Sequence, residues 1–397
     1  MSGRDTRGEP WTAWTVLLGD RMSVERFVEH WVDSTAALAP LEPIIESADE
    51  LALDTESNSM FAYQERICLL QLGPVWHAGR AESPLVVLDP IALGGPGLGV
   101  LRRWFATGRR TLMHGGEYDV AVLKRELGVG PSLVFDTQAA ASMLGFQRTG
   151  YVNLVEELLG VTLAKEHQQF DWGRRPVPGG PRRYAFDDVR YLPELTRILE
   201  SMASDHDLVE EIGIACEAVT EALAHAPLSE AERFWRVAGK VKVSVEALPR
   251  LHSLFLWREH EAIARDIPPG RLVPNDVLAS LALRPPRDAN ALANRGLPKK
   301  LAAERADLII EAAQNGSAEV PQKPRMERPD PLVKKRETAL KQWREAEATR
   351  RGVTIQAVLP TRALDALAHG VPPNEAPQLG AKRLERYGKE LARILGR

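Results

Sequence analysis

The spacing of apolar residues divides the chain into a first part that mixes strand and helix patterns and a second part that is helical throughout. Short apolar runs of strand length stand at Leu51–Thr55, Ile67–Leu72 and Leu85–Leu88, the last closed by the turn pair Asp89-Pro90. Ahead of them, Ser23 to Leu38 carries Val24, Phe27, Val28 and Trp31 at helical spacing, which predicts an amphipathic helix. Beyond them, Arg109 to His114 reads as a short strand broken by Gly115-Gly116. Glu117 to Leu127 then reads as a helix with Val120, Leu123 and Leu127 on one face. Leu133–Phe135 is a further strand, Asp136-Thr137 a helix N-cap, and Ala139–Leu144 and Asn153–Leu159 helices. A Pro/Gly-rich basic loop covers 173–183, and from Tyr184 a helical pattern runs past Leu199. Strands interleaved with helices predict an α/β domain over 41–205, behind an N-terminal extension over 1–40.

After this the strand signals stop. Residues 206–235 read as a connecting helix, and an internal repeat follows. Trp257-Arg258-Glu259, with Glu261, Ala262 and Arg265, recurs as Trp343-Arg344-Glu345, with Glu347, Ala348 and Arg351, an offset of 86 residues. The same offset carries Pro274, Leu278, Leu281, Ala282 and Pro286 onto Pro360, Leu364, Leu367, Ala368 and Pro372. One ungapped offset held through this many matches predicts two small all-α domains of one type, over 236–314 and 332–397. The polar, proline-rich stretch 315–331 suits a linker between them.

Composition narrows the function classes. With 397 residues, 44% hydrophobic and 26% charged, the chain has the makeup of a globular protein of two or three domains. A net charge of -3 supplies no global basic field, so any nucleic-acid binding must come from local patches. Two cysteines, Cys68 and Cys216, form no metal-ligand spacing or disulfide framework, and a cytoplasmic setting fits them. The opening residues lack an apolar stretch, so no signal peptide is expected, and no apolar run reaches the ~20 residues that span a bilayer.

The candidate chemistry begins at Asp54-Thr55-Glu56. In an extended strand, residues i and i+2 point to one side, so Asp54 and Glu56 project together from the end of a buried strand. Carboxylates held this close repel unless a cation lies between them, and an oxygen-only donor set suits a hard divalent ion such as Mg2+. Asp119, in the first turn of a helix behind a glycine pair, and Asp188, one helical turn after Tyr184, are candidates to join them. Asp187 beside it points about 100° away around the helix and reads as solvated. Asp89 and Asp136 read as turn and cap residues, and Glu117 as a first-turn acid favoured by the helix dipole.

Together these segments resemble a known family. Leu53-Asp54-Thr55-Glu56, His114-Gly115-Gly116-Glu117-Tyr118-Asp119 and Tyr184-Ala185-Phe186-Asp187-Asp188 are similar to the three exonuclease motifs of the DEDD superfamily, and Tyr-x-x-x-Asp to its tyrosine branch. Lys165-Glu166-His167-Gln168-Gln169-Phe170-Asp171-Trp172 with Arg175-Pro176 resembles the ribonuclease D family, and the repeat resembles the helical HRDC domains that follow the nuclease in that family. The resemblance implies a ribonuclease H-like mixed sheet flanked by helices, then two HRDC-like domains. It implies 3′-5′ trimming of structured RNA with a free 3′ end, tRNA precursors among them, by two-metal-ion hydrolysis with Mg2+ or Mn2+ that releases nucleoside 5′-monophosphates. Asp54, Glu56, Asp119 and Asp188 would be the metal ligands, and Tyr184 would orient the attacking water. Ser57 departs from the aromatic residue common at that position, so Phe61 or Tyr63 is expected to stack on the terminal base. His114 is a further candidate for substrate contact, and Arg174, Arg175, Arg182 and Arg183 for phosphate contact. Lys334, Lys335, Arg336, Lys382, Arg383, Arg386 and Lys389 could hold the body of the RNA. Two other functions fit the same residues: a DNA 3′-5′ exonuclease of the same branch, and a non-catalytic RNA-binding protein. No membrane partner is expected, and the sequence leaves the oligomeric state open.

Overall fold

Among the described residues, six strands form one sheet in the order β1-β4-β3-β2-β5-β6. In this computed structural model the described residues are 26–164, 167, 169–223, 228–316, 319–324 and 330–396; Ser23, Val24, Lys165, Glu166, Gln168 and part of the expected linker lie outside them. The strands are β1 (Arg26–Val32), β2 (Glu50–Ser57), β3 (Ile67–Val75), β4 (Glu82–Leu88), β5 (Thr111–Met113) and β6 (Val134–Asp136). β1 runs parallel to β4, β3 antiparallel to β4, and β2, β5 and β6 are mutually parallel in sequence. The acid-bearing strand β2 is therefore interior, and both its faces are covered. Leu51 and Leu53 enter a core with Val100, Trp104, Val120 and Leu123, whereas Ala52 enters a second core with Ala185, Val189 and Leu195. Helices on both faces of a mixed sheet are the α/β architecture expected.

Two expectations change. The helix predicted over Ser23–Leu38 is instead β1, which pairs with β4 from Arg26↔Glu82 to Val32↔Leu88. Phe27 and Trp31 stand four apart, a spacing that shares a face in a strand as well as in a helix, so periodicity alone could not separate the two. The exposed edge of β4 decides the matter by offering a full ladder of partners. The 1–40 extension thus contributes a strand to the sheet. The pattern from Tyr184 past Leu199 is two helices, Gly179–Arg190 and Leu192–Asp205. Pro193 lacks the N–H that continuity requires, and it sits instead in the first turn of the second helix.

The chain divides into two compact units. The first holds the chain up to Glu56, Ile67–Ala224 and Pro329–Arg397; the second holds Ser57–Arg66 and His225–Arg328. The connecting segment divides between them. Its helix Val209–Thr220 packs Ile212 and Cys216 into the sheet's core, while Glu230–Ala238 lies in the second unit.

The repeat is preserved in three dimensions. Arg258 is buried and donates from Nη1 to the Val273 carbonyl at 2.7 Å; its counterpart Arg344 donates to the Leu359 carbonyl at 3.1 Å. The two copies nevertheless have different neighbours. In the second unit, the segment after β2 joins the first copy: the Gln64 N–H donates to Asp266 Oδ1 at 2.9 Å, and the Arg271 guanidinium lies 4.1 Å from the Phe61 ring centroid. In the first unit, the second copy packs on the nuclease helices. Lys382 Nζ lies 2.8 Å from Asp207 Oδ1 and 3.4 Å from Oε2 of the buried Glu211. Thr354 donates to the Met143 carbonyl at 3.4 Å, and Ala357 is part of the sheet's core. Arg383, expected to hold RNA, is buried with its guanidinium on the carbonyls of Ala357, Gln378, Leu379 and Gln356. Among the described residues, no helix is long and apolar enough to cross a membrane.

One ion pair anchors the approach to the Gly179–Arg190 helix. Arg175 meets both oxygens of Asp89 at 2.6 and 2.7 Å and donates to the Trp172 and Cys68 carbonyls at 2.6 and 3.0 Å. Asp89 is 2% exposed, and its Oδ1 also caps the Ile91 and Ala92 amides. Arg175→Met strands a buried carboxylate and should cost about 3 kcal/mol, read as a lower urea midpoint of the nuclease transition. Arg183→Met, on an exposed side chain, should stay within about 0.5 kcal/mol.

Candidate active site

At the end of β2 the alternation of the strand separates three polar side chains between two faces. Asp54 and Glu56 share the face of Ala52, over which the helix Gly179–Arg190 packs through Ala185, Phe186 and Val189. That helix brings Asp188 to the pair, and one oxygen each from Asp54, Glu56 and Asp188 lie within 4.8 Å of one another. Thr55 points the opposite way, and its hydroxyl donates to Asp119 Oδ1. Asp119 is buried in the first turn of the helix Glu117–Leu127, which packs on the other core through Val120, Leu123 and Leu127. The acids thus approach one strand end from both sides of the sheet.

The glycine pair makes the turn into the Asp119 helix. Gly115 has φ 65°, and a Cβ on Gly116 would lie 2.9 Å from the Met113 side chain. The Gly116 N–H donates to Asp136 Oδ2 at 2.7 Å, while Oδ1 of the same carboxylate caps the Ala139 amide at 2.8 Å. Asp136 is therefore the cap that its position predicted, and it holds the neighbouring turn as well.

The cluster is short of positive charge. Burial, then repulsion from Asp119 and Asp188, holds the Asp54 carboxyl well above its ordinary range. Burial, then Asp54 and Asp119, pushes Glu56 up to about 9. Burial raises Asp119 to about 6 against the opposing Thr55 hydrogen bond. Burial, then Glu56, Asp187 and Asp119, raises Asp188 well above normal. Asp188 Oδ2 is buried with no hydrogen-bond partner among the described residues. Converging carboxylates with an orphaned oxygen fit a hard divalent cation with oxygen ligands.

The surrounding residues fall into two groups. Tyr184 lies one turn before Asp188, with the Trp172 ring 6.2 Å away and the His167 ring 6.2 Å away, centroid to centroid. Trp172 is 1% exposed and belongs to the core on which this helix packs. Tyr151, which sequence reasoning passed over, is held close: its hydroxyl donates to the Asp187 carbonyl at 2.9 Å and accepts from the Tyr191 N–H at 3.1 Å. Both Asp188 and Asp54 raise its already burial-raised pKa, which sets it beside the acids. Its only sequence signal was a tyrosine at a helix start behind Gly150. His114 packs on Tyr151 with ring centroids 5.5 Å apart.

The expected substrate residues are more often engaged elsewhere. The Tyr63 hydroxyl bonds Glu259 and Arg233 at 3.3 Å each. Phe61 lies under Arg271, and Arg175 is committed to Asp89. The Arg182 guanidinium stacks 4.1 Å from the Trp31 ring of β1. Arg174 and Arg183 are exposed and remain open to phosphate.

Comparison with known proteins agrees with this geometry. Residues 29–204 match a family described as 3′-5′ exonuclease, and residues 247–312 and 334–395 match the HRDC domain. The chain is 30% identical over 303 residues to a ribonuclease D of Zymomonas mobilis, covering 74% of this chain and 75% of that one. It is 29% identical to a ribonuclease D of Pseudomonas paraeruginosa, covering 92% of this chain and 97% of that one. Among solved structures, Escherichia coli RNase D, described as an exoribonuclease involved in structured RNA processing, superposes with a TM-score of 0.64 at 21% identity. That superposition covers 93% of this chain and 99% of that one.

The raised carboxyls make metal-free stability depend on pH in a definite direction. Between 4.5 and about 9 the folded protein keeps a proton on Glu56 that the unfolded chain has released. Stability therefore falls as pH rises through that window. In EDTA the melting temperature should drop from pH 5 to pH 9, and millimolar Mg2+ should recover much of the loss by binding the folded form. An unchanged melting temperature across that range in EDTA would contradict an unneutralised cluster.

Proposed function

Because the chain belongs to the ribonuclease D family and is a 3′-5′ exoribonuclease, we propose that it trims structured RNAs, tRNA precursors among them, by two-metal-ion phosphodiester hydrolysis that releases nucleoside 5′-monophosphates. The observation that carries this reading is the meeting of Asp54, Glu56 and Asp188 within 4.8 Å, with Asp119 tied to the same strand end by Thr55. These four acids would hold two divalent ions, Mg2+ or Mn2+. Such ions supply, when bound, the Lewis acidity that makes water nucleophilic near neutral pH and offsets charge on the leaving 3′ oxygen.

The chain's own residues supply position. Thr55 fixes the Asp119 carboxylate by donating to it, so this acid enters the site in one orientation. Among the described residues, one Asp188 oxygen has no hydrogen-bond partner, which suits it to a ligand. Tyr184 would hold the attacking water by a hydrogen bond from one turn before Asp188. Arg174 and Arg183, exposed on the loop ahead of the Tyr184 helix and at its start, suit phosphates of an incoming strand. The choice of tRNA rests on the family. The buried cysteines Cys68 and Cys216, which form no disulfide, suit a cytoplasmic enzyme.

The test is timed digestion of a 5′-labelled tRNA carrying extra 3′ nucleotides, with products resolved singly. Stepwise loss of mononucleotides that stop near the mature end is expected. EDTA should halt the reaction and Mg2+ or Mn2+ restore it. Asp54→Ala should lower the rate by at least about 10³-fold while circular dichroism stays unchanged. Shortening that persists in EDTA, or release of oligonucleotides, refutes the mechanism.

A further inference from the structure

At the acids' end of the sheet, the buried Nε2 of His114 has no hydrogen-bond partner among the described residues. Leu51 and Ala52 of β2 pair in parallel with Thr111 and Leu112 of β5. Two residues beyond Ala52 and Leu112 stand Asp54 and His114, at the same end of the sheet. The His114 ring is fixed at its other nitrogen: Nδ1 is 2.9 Å from Oγ1 of the fully buried Thr137. That hydroxyl is also 3.1 Å from the Met113 carbonyl oxygen, which can only accept. A hydroxyl carries one proton. Thr137 gives it to Met113, so the Thr137 oxygen accepts from His114 Nδ1–H.

The tautomer follows. With the proton on Nδ1, the neutral ring presents Nε2 as a lone-pair acceptor. Burial is the first cause that lowers this imidazole to about 4, opposed by Asp136, so it is neutral at physiological pH. Nε2 is buried and unbonded among the described residues. The hydroxyl of Tyr151, whose ring packs on His114, cannot serve it, because it donates to the Asp187 carbonyl and accepts from the Tyr191 amide. An unmet buried acceptor is costly to leave unmade, so the complementary donor is expected from a ligand.

An RNA 3′ end offers few donors. Phosphate oxygens accept only, and exocyclic amines are absent from uridine, whereas ribose hydroxyls are present on every nucleotide. We propose that His114 Nε2 accepts a hydrogen bond from a ribose hydroxyl of the 3′-terminal nucleotide, which makes His114 the residue that reads the sugar, with Thr137 setting its tautomer. The proposal rests on the exoribonuclease reading and adds to it the atom that recognises the sugar. A site built to bond a hydroxyl rejects an analogue that lacks it, because its buried polar group is then left unpaired.

The experiment compares full-length wild type with His114→Phe, which keeps a ring against Tyr151 and removes the acceptor. Four oligonucleotides of one sequence are used, ending in a ribonucleotide, a 2′-deoxynucleotide, a 3′-deoxynucleotide, or a ribo-uridine in place of the terminal base. Binding is read by fluorescence anisotropy in EDTA, and kcat/KM in Mg2+. Wild type should prefer the ribose end over one deoxy end by about tenfold, and the deoxy end that loses affinity names the hydroxyl. In His114→Phe the ratio should fall to near one, through weaker binding only of the ends that keep that hydroxyl. Thr137→Val, which releases the tautomer, should reduce the ratio partway, and it carries the comparison if the phenylalanine variant does not fold.

Equal losses on all four ends, or a ratio unchanged in the variant that folds, would overturn the proposal. So would binding of the ribo-uridine end that His114→Phe leaves unchanged, which would assign Nε2 to a base amine. If wild type shortens no RNA at all, the exoribonuclease reading fails instead. Shortening without a His114-dependent preference removes only the present inference.

Discussion

Electrostatic repulsion among four crowded acids sets the terms for the rest of the nuclease domain. Left in water, Asp54, Glu56, Asp119 and Asp188 would separate; here a sheet and two helices hold them together. Strand alternation delivers two acids to one face and turns Thr55 to the other, where its hydroxyl fixes the third. The fourth arrives on a helix whose apolar face is sunk in the core below. Both cores must stay packed for the acids to stay close, since either helix, once loosened, would let the charges relax apart. Strain of this kind belongs at functional sites, where stability is given up so that a ligand finds its donors already assembled.

Fixed geometry continues one layer out through side chains that do not carry the charge. Asp136 joins the Gly116 turn to the next helix, Arg175 joins the Asp89 corner to the loop before Tyr184, and Tyr151 bridges Asp187 and Tyr191 across the junction of two helices. Each satisfies buried backbone groups that would otherwise be orphaned. The helix positions that present Tyr184 and Asp188 are therefore set by hydrogen bonds as well as by packing.

The local part of this arrangement was legible in the chain. A period of two places Asp54 and Glu56 together, a period near 3.6 places Tyr184 and Asp188 together, and the offset from Trp257 to Trp343 announces the duplicated domain. The limits have physical causes. Phe27 and Trp31 satisfy both periods, so only the open edge of β4 makes them a strand. Thr55 reads as a spacer until the fold places Asp119 against it, and Arg175 looks like a free cation until Asp89 is found buried beside it. Side chains committed across long sequence distances leave no local periodic mark, and the His114–Thr137 pair is another of these.

The two repeats, alike in sequence, differ in attachment. The later copy shares a compact unit with the sheet, with Lys382 set against Asp207 and Glu211 and with Ala357 in the sheet's own core. Cutting the chain ahead of Pro331 would accordingly do more than delete a domain. It would lay bare apolar surface on the catalytic body and strip a buried glutamate of its lysine. A shortened protein that works poorly would then be reporting a damaged wall rather than a missing handhold for RNA, and single surface substitutions are the sounder way to ask what that domain grips.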